Sequence, residues 1–318
     1  MPTEIDFFTF VYKRHLIWYK RFILKQQPPW TDDPILKKFK LINVYRELDK
    51  CTIYLINKLK SVSNRETLLI NIIFYRFFNL MNLYEDLGIQ LFPTINEDLQ
   101  EQLIRKFTQL QKTRPIFNNA YIISSGGKGS KHVNIINNLV NINLPDLITK
   151  LDNAKTPEES FFHLTALPMV GPFLACEFWT DLTYFKFFPQ QWTDNDFVNI
   201  GPGAKWGLEI LYGNISQESL QERLHHLHQI QRKILSTINT SLSEKLSWEE
   251  IAYKEAYSNY PYLSITNIEG SLCEFRKYWN ISHGKGRRKY FIPQQINSLL
   301  SFLPPQKKYP ISSNSSSL

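Results

Sequence analysis

The chain has 318 residues, 43% of them hydrophobic, enough to build one large helical domain or two modest ones. Its net charge of +8 favours a polyanionic partner, nucleic acid first. The composition excludes several classes: 12 glycines are too few for a fold built on glycine turns, and Cys51, Cys176 and Cys273 follow no zinc spacing. No apolar run reaches the roughly 18 residues of a membrane helix.

From the N-terminus the pattern is helix after helix. No basic n-region leads an apolar run, so no signal peptide is expected. Residues 5–26 carry Phe7, Phe8, Val11, His15, Trp18, Tyr19 and Phe22 at three- and four-residue steps, and Pro28-Pro29 ends that segment. Asp32-Asp33-Pro34 caps a second helix expected over 34–60. A third is expected over 65–87, stopping at Gly88, and a fourth over 96–114, stopping before Pro115. The loop Ser124-Ser125-Gly126-Gly127-Lys128-Gly129-Ser130-Lys131 lacks the spacing of a nucleotide-binding P-loop and reads as a linker or a DNA-contacting loop. Helices resume over 132–142 and 144–153, and Thr156-Pro157-Glu158-Glu159 caps another that runs to Ala166. Further helices are expected over 202–212, 216–238, 247–257 and 264–281. The serine-rich tail 304–318 reads as disordered.

Two features carry chemistry. Leu167-Pro168-Met169-Val170-Gly171-Pro172-Phe173-Leu174-Ala175 suits a helix–hairpin–helix turn, with amide N–H groups of Val170, Gly171 and Phe173 aimed at a DNA phosphate. It resembles the hairpin of the helix–hairpin–helix DNA glycosylases, with Met169 where glycine is usual. Those enzymes place a catalytic Asp at the mouth of the next helix. Asp196 leads here and Asp194 is second. Phe173 stands where bifunctional members carry a lysine nucleophile, so base removal without a lyase step is expected. The same hairpin also occurs in non-catalytic DNA binders, and the acids could be helix caps.

Several separated segments extend the resemblance: Pro29-Trp30-Thr31-Asp32-Asp33-Pro34, Asn43-Val44-Tyr45-Arg46-Glu47-Leu48-Asp49, Asn119-Ala120-Tyr121, Asp194-Asn195-Asp196-Phe197 with Gly201-Pro202-Gly203-Ala204, and Leu272-Cys273-Glu274-Phe275-Arg276-Lys277-Tyr278. Together they resemble the α-glutamyl/putrescinyl thymine pyrophosphorylase family and are similar to the helical domain of phage 5-hydroxymethyl-deoxyuridine DNA kinases. That family is regarded as a divergent branch of the glycosylase superfamily. The resemblance implies an all-α, glycosylase-like bundle over residues 1–303, with two helical lobes and a cleft. One lobe would cover about 1–125 plus the C-terminal helices, the other about 126–240.

The three cysteines read as reduced thiols of a cytoplasmic protein, expected to be a monomer without cofactor or metal, and the resemblance implies action on double-stranded DNA that contains a modified pyrimidine. Monofunctional excision of a hydroxymethylated or glycosylated base, in phage defence, is the leading expectation. Transfer of an amine or amino acid to an activated 5-hydroxymethyl group, and non-catalytic reading of modified DNA, are the alternatives. Trp30, Thr31, Asp32, Asn43, Tyr45, Arg46, Tyr121, Gly201, Gly203 and Glu274 are candidates to line the substrate pocket. Arg46 with Asp49, and Glu274 with Lys277, could instead be simple helix-face pairs. Lys128, Lys285, Arg287 and Arg288 are candidates for the DNA backbone. His225, His226 and His228 lack an evident carboxylate or cysteine partner and read as surface histidines.

Overall fold

A computed structural model of the chain describes residues 1–87, 94–119, 123–241, 246–254, 262–286 and 289–292; of residues 239–241 only the backbone is described. Fourteen α-helices follow one another among them: α1 Glu4–Phe22, α2 Pro34–Lys38, α3 Lys50–Leu59, α4 Arg65–Phe78, α5 Met81–Leu87, α6 Glu97–Gln111 and α7 Lys131–Val140. Then come α8 Leu144–Asn153, α9 Pro157–Thr165, α10 Pro172–Tyr184, α11 Pro202–Tyr212, α12 Ser219–Ser241, α13 Trp248–Ile251 and α14 Ile265–Ser282. The one extended pairing among the described residues is an isolated antiparallel bridge between Phe39 and Tyr290. The protein is all-α, as the periodicity indicates.

The chain divides into two compact units, one of residues 1–49 and 200–318, the other of residues 50–199. The resemblance implies lobe edges near 125 and 240; the compact units are bounded at Asp49–Lys50 and Asn199–Ile200.

In the first unit, α1 opens with a capping box: Thr3 Oγ1 accepts from the Asp6 N–H at 3.3 Å, and Asp6 accepts from the Thr3 N–H at 2.7 Å. Its buried face packs on α12 and α14. Tyr45 and His15 sit with Trp18, Trp248 and Tyr253 in an aromatic core. α11 and α14 approach closely because two glycines on α11 face α14. A Cβ on Gly207 would lie 2.9 Å from the backbone carbonyl carbon of Leu272. Backbone cannot yield as a side-chain tip can, so Gly207→Ala is expected to cost about 1–3 kcal/mol. The denaturant midpoint should fall with an unchanged m-value.

The second unit is built on α4, which is buried along nearly its whole length and packs on α10, α8 and α7. Its phenylalanines, Phe74, Phe77 and Phe78, meet Phe107, Phe117 and Phe178. Arg76 on the same helix lies in the interior, with its guanidinium on Asp181 of α10.

Three expected helices are corrected. The segment 34–60 breaks after five residues of α2, because the Lys40 N–H donates to Lys289 O at 2.8 Å and the Phe291 N–H to Lys38 O at 2.9 Å. Backbone groups committed to a distant extended segment cannot continue a helical ladder. The segment 65–87 is two helices, parted at Asn79, which adopts the left-handed conformation (φ 49°) and caps α4. Of the segment 247–257, residues 248–251 form α13, which ends where Ala252 turns extended (ψ 145°), and residues 255–257 lie outside the described residues. Residues 304–318 lie outside the described residues.

Candidate functional site

The hairpin lies wholly within the second unit. α9 ends at Thr165, the turn runs through Met169, and α10 starts at Pro172 with Gly171 as its N-cap. No side chain caps that start, an arrangement that leaves a helix N-terminus suited to an anion. Met169 stands where glycine is usual and takes the left-handed backbone that glycine would take (φ 63°). Its thioether covers Gly126: a Cβ added there would fall 2.6 Å from the Met169 terminal methyl. The glycine-rich loop 124–130 is therefore laid against the hairpin, with Lys128 exposed on it. Gly171 and Phe173 are exposed, and Val170 is buried against the unit's core.

The acidic segment that follows separates its two candidates. Asp194 is interior, 1% exposed. Asp196 is on the surface, closing a tight turn in which its own N–H donates to Thr193 O at 3.1 Å. One carboxylate oxygen, Oδ2, accepts from the Thr193 N–H at 2.7 Å and from Thr193 Oγ1 at 2.8 Å. Oδ1 has no hydrogen bond among the described residues. Asp196 is thus a surface carboxylate held in one orientation by one of its two oxygens. Phe197 beside it anchors the turn against Phe161 and Trp179.

In the first unit, a polar network joins α1, the segment 41–49 and α14. Arg14 donates to Leu41 O at 3.0 Å and to Asn43 Oδ1 at 2.9 Å. Asn43 Nδ2 donates to Leu48 O and to Asp49 Oδ1, both at 3.0 Å. The Ile42 N–H donates to Glu274 Oε2 at 3.0 Å, and Lys277 donates to Glu274 Oε1. The Arg46 N–H donates to Asn267 Oδ1 at 2.8 Å. Removal from water pushes the Asp49 carboxyl up to about 6, against the pull of the Asn43 backbone N–H and Arg14. The same desolvation brings the Arg14 guanidinium down to about 10, opposed by Asp49 and Glu274.

The other candidate residues take the following positions. Asn43 spends its side chain on Arg14, Leu48 and Asp49, and Tyr45 lies fully inside the aromatic core. Arg46 and Asp49 do not share an α-helix; Arg46–Leu48 is a 3-10 turn that Asp49 follows, and Asp49 bonds Asn43. Glu274 does pair with Lys277, and in addition ties Ile42. Trp30 is buried beneath the Arg21 guanidinium, 5.2 Å from its ring centroid, and donates to Gln26 O at 2.8 Å. Thr31 accepts from the Asp33 N–H, and Asp32 is exposed. Gly201 caps α11 and donates its N–H to Glu269 Oε1 at 3.0 Å, while Gly203 lies against Cys273. Lys285 is exposed; Tyr121, Arg287 and Arg288 lie outside the described residues.

The sequence marks Arg14 only as one of several basic residues of the first helix that could face DNA, and it does not mark Glu269. Their hydrogen-bond partners lie 27 to 68 residues away and leave no local spacing to read. The histidine run has one carboxylate the sequence did not reveal: His226 Nε2 lies 3.0 Å from Glu4 Oε1. Burial pulls the His228 imidazole below its usual range, with His225 adding to the effect. Among the described residues no group of three or more His, Cys, Asp or Glu is placed to hold a metal ion. No described helix is long and apolar enough to cross a membrane.

The elements define an all-α protein carrying a helix–turn–helix hairpin followed by an oriented surface carboxylate. The chain belongs to the family described as 5-hmdU DNA kinase, helical domain, which matches residues 3–288. It is similar to the 5-hmdU DNA kinase of Bacillus phage SP10, 26% identical over 295 residues that cover 86% of this chain and 44% of the phage protein. The chain thus spans less than half the length of that relative. No solved structure matches it.

Proposed function

We propose that this chain acts on DNA containing a 5-hydroxymethylated or further modified pyrimidine, and that its chemistry is hydrolytic removal of that base. The substrate class is supported by the family match over residues 3–288 and by the name of the phage relative, a 5-hmdU DNA kinase. The chemistry is supported by one observation above all: Asp196 presents a carboxylate oriented by Thr193, whereas Asp194 is enclosed.

In this reading the target nucleotide leaves the stack and its sugar meets Asp196. The N-glycosidic bond breaks with its electron pair going to the base. The carboxylate stabilises the positive charge that grows on the sugar. Water then adds at C1′ and gives its proton to the carboxylate, and the departing base is protonated from solvent. Phe173, at the position of the lysine nucleophile, supplies no amine for a Schiff base, so the sugar–phosphate strand stays intact.

Incubation with duplexes carrying 5-hydroxymethyluracil, 5-hydroxymethylcytosine or its glucosylated form tests this directly. Free modified base by mass spectrometry, with alkali-labile sites in the strand, is the expected result. Asp196→Asn is expected to slow release on the order of 100-fold or more while DNA affinity holds. Loss of activity in Asp194→Asn with full activity in Asp196→Asn would reverse the assignment.

The kinase relative favours a second reading, in which the chain processes a 5-hydroxymethyl group after its activation by phosphorylation. DNA carrying phosphorylated 5-hydroxymethyluracil, supplied with a polyamine or an amino acid, would then yield a heavier base still attached to the strand. Binding without either product would leave the role of a modified-DNA reader.

A further inference from the structure

Trp206 is an exposed aromatic side chain of α11 with a charged partner from α14. It is 54% exposed in the middle of α11. The Arg276 guanidinium from α14 lies over its ring, 4.9 Å from the centroid. The close approach of the two helices at Gly203 and Gly207 brings that arginine across. On α14, Glu269 holds the Gly201 N–H and Glu274 holds Ile42 and Lys277, while Glu209 of α11 forms no ion pair with Arg276 among the described residues. Arg276 forms no ion pair among the described residues, and its Nε, shut away from water, has no hydrogen-bond partner among them. Lys205, next to Trp206, adds a second positive charge.

An exposed indole with a guanidinium stacked on it resists collapse onto the surface and presents a flat, electron-rich plane. Such a plane accepts any nucleobase, because every base has a π-face. The unpaired arginine and Lys205 supply the charge that a nucleotide's phosphate requires. An apolar protein partner would have to bury an uncompensated guanidinium, which is costly. We propose that Trp206, backed by Arg276, is a stacking platform for an unpaired DNA base. The inference rests on the reading of the chain as DNA-acting and adds a contact outside the hairpin and the acidic turn.

The test measures binding of the full chain to a short single-stranded oligothymidylate and to the same backbone without bases. Trp206→Ala is expected to weaken oligothymidylate binding about 10-fold or more, and Trp206→Phe far less. Both variants should bind the abasic strand as the wild type does. Arg276→Ala should weaken both probes and reduce the salt dependence by about one ion. Unchanged oligothymidylate affinity in Trp206→Ala, or equal losses on the two probes, would overturn the platform while leaving DNA binding in place. If the wild type binds neither probe nor modified duplex, the DNA reading itself fails and the platform with it. If Trp206→Ala alters only self-association in sedimentation, the surface is a protein contact and the proposal is wrong.

Discussion

Asp181→Asn is expected to destabilise the chain by about 3–5 kcal/mol, the usual cost of stranding one partner of a buried ion pair. Arg76 and Asp181 are each 1% exposed, and the guanidinium meets the carboxylate through two bonds, Nε to Oδ2 at 2.6 Å and Nη2 to Oδ1 at 2.8 Å. The remaining donors go to Asn79 Oδ1 at 3.2 Å and Thr52 Oγ1 at 3.0 Å, so the guanidinium is held on three helices' worth of partners. The amide of the variant keeps the shape and loses the charge and one acceptor. Glu177, 3.8 Å from Nη1, compensates only in part. The loss should show as a lower urea midpoint at unchanged m-value. The penalty belongs to the uncompensated charge and not to the space the pair fills. Replacing both partners with apolar residues, Arg76→Met with Asp181→Leu, should therefore recover most of it. A double variant no more stable than Asp181→Asn would show that the pair is needed for more than mutual neutralisation.

Why the sequence shows some elements and hides others follows from the range of the interactions. Helices whose ends are set by their own residues are readable: Thr156-Pro157 opens α9, Gly201-Pro202 opens α11, and Asn143 caps α8. Helices interrupted by distant partners are not. The segment 34–60 has continuous helical spacing, yet Lys38–Lys40 pairs with residues 250 positions later in the chain's order, and no local signal announces that. At Asn79 the local sequence did carry a hint, since asparagine tolerates the left-handed conformation, but the apolar pattern on either side outweighed it.

The same division applies to the candidate site. The hairpin and the Thr193–Asp196 turn are local constructions; the hairpin residues and both aspartates stand out in the sequence, whereas Thr193 does not. The network of Arg14, Asn43, Asp49 and Glu274 joins three separated segments, so residue type suggested polarity there without showing what bonds what. Asn43 and Tyr45 are base-reading types by side chain; in the structure the first is a crosslink and the second is core.

The pH dependence of stability is expected to contain two opposed contributions, and separating them is the second large effect. His15 Nε2–H donates to Ile251 O at 2.7 Å, and desolvation brings its imidazole down to about 3 from 6.5, with Arg14 lowering it further against the pull of that hydrogen bond. The unfolded chain gains a proton there below pH 6.5 while the folded chain does not, so stability falls as pH drops from 6.5 towards 3. Asp49 works the other way. Its folded value, about 6, exceeds 3.8, so the folded chain binds the proton first and stability rises as pH drops from 6 to 4. Each slope is about 1.4 kcal/mol per pH unit when fully expressed, and across pH 6 to 4 they nearly cancel. Asp49→Asn keeps the acceptor for Asn43 and removes the titration, so acid destabilisation should begin near pH 6.5. His15→Gln should be less stable at neutral pH but gain stability on acidification from pH 6 to 4. Urea melts at half-unit pH steps read both slopes against the wild type. Parallel curves for the wild type and Asp49→Asn over that range would show that Asp49 titrates as an ordinary surface carboxyl and that the polar network does not shield it.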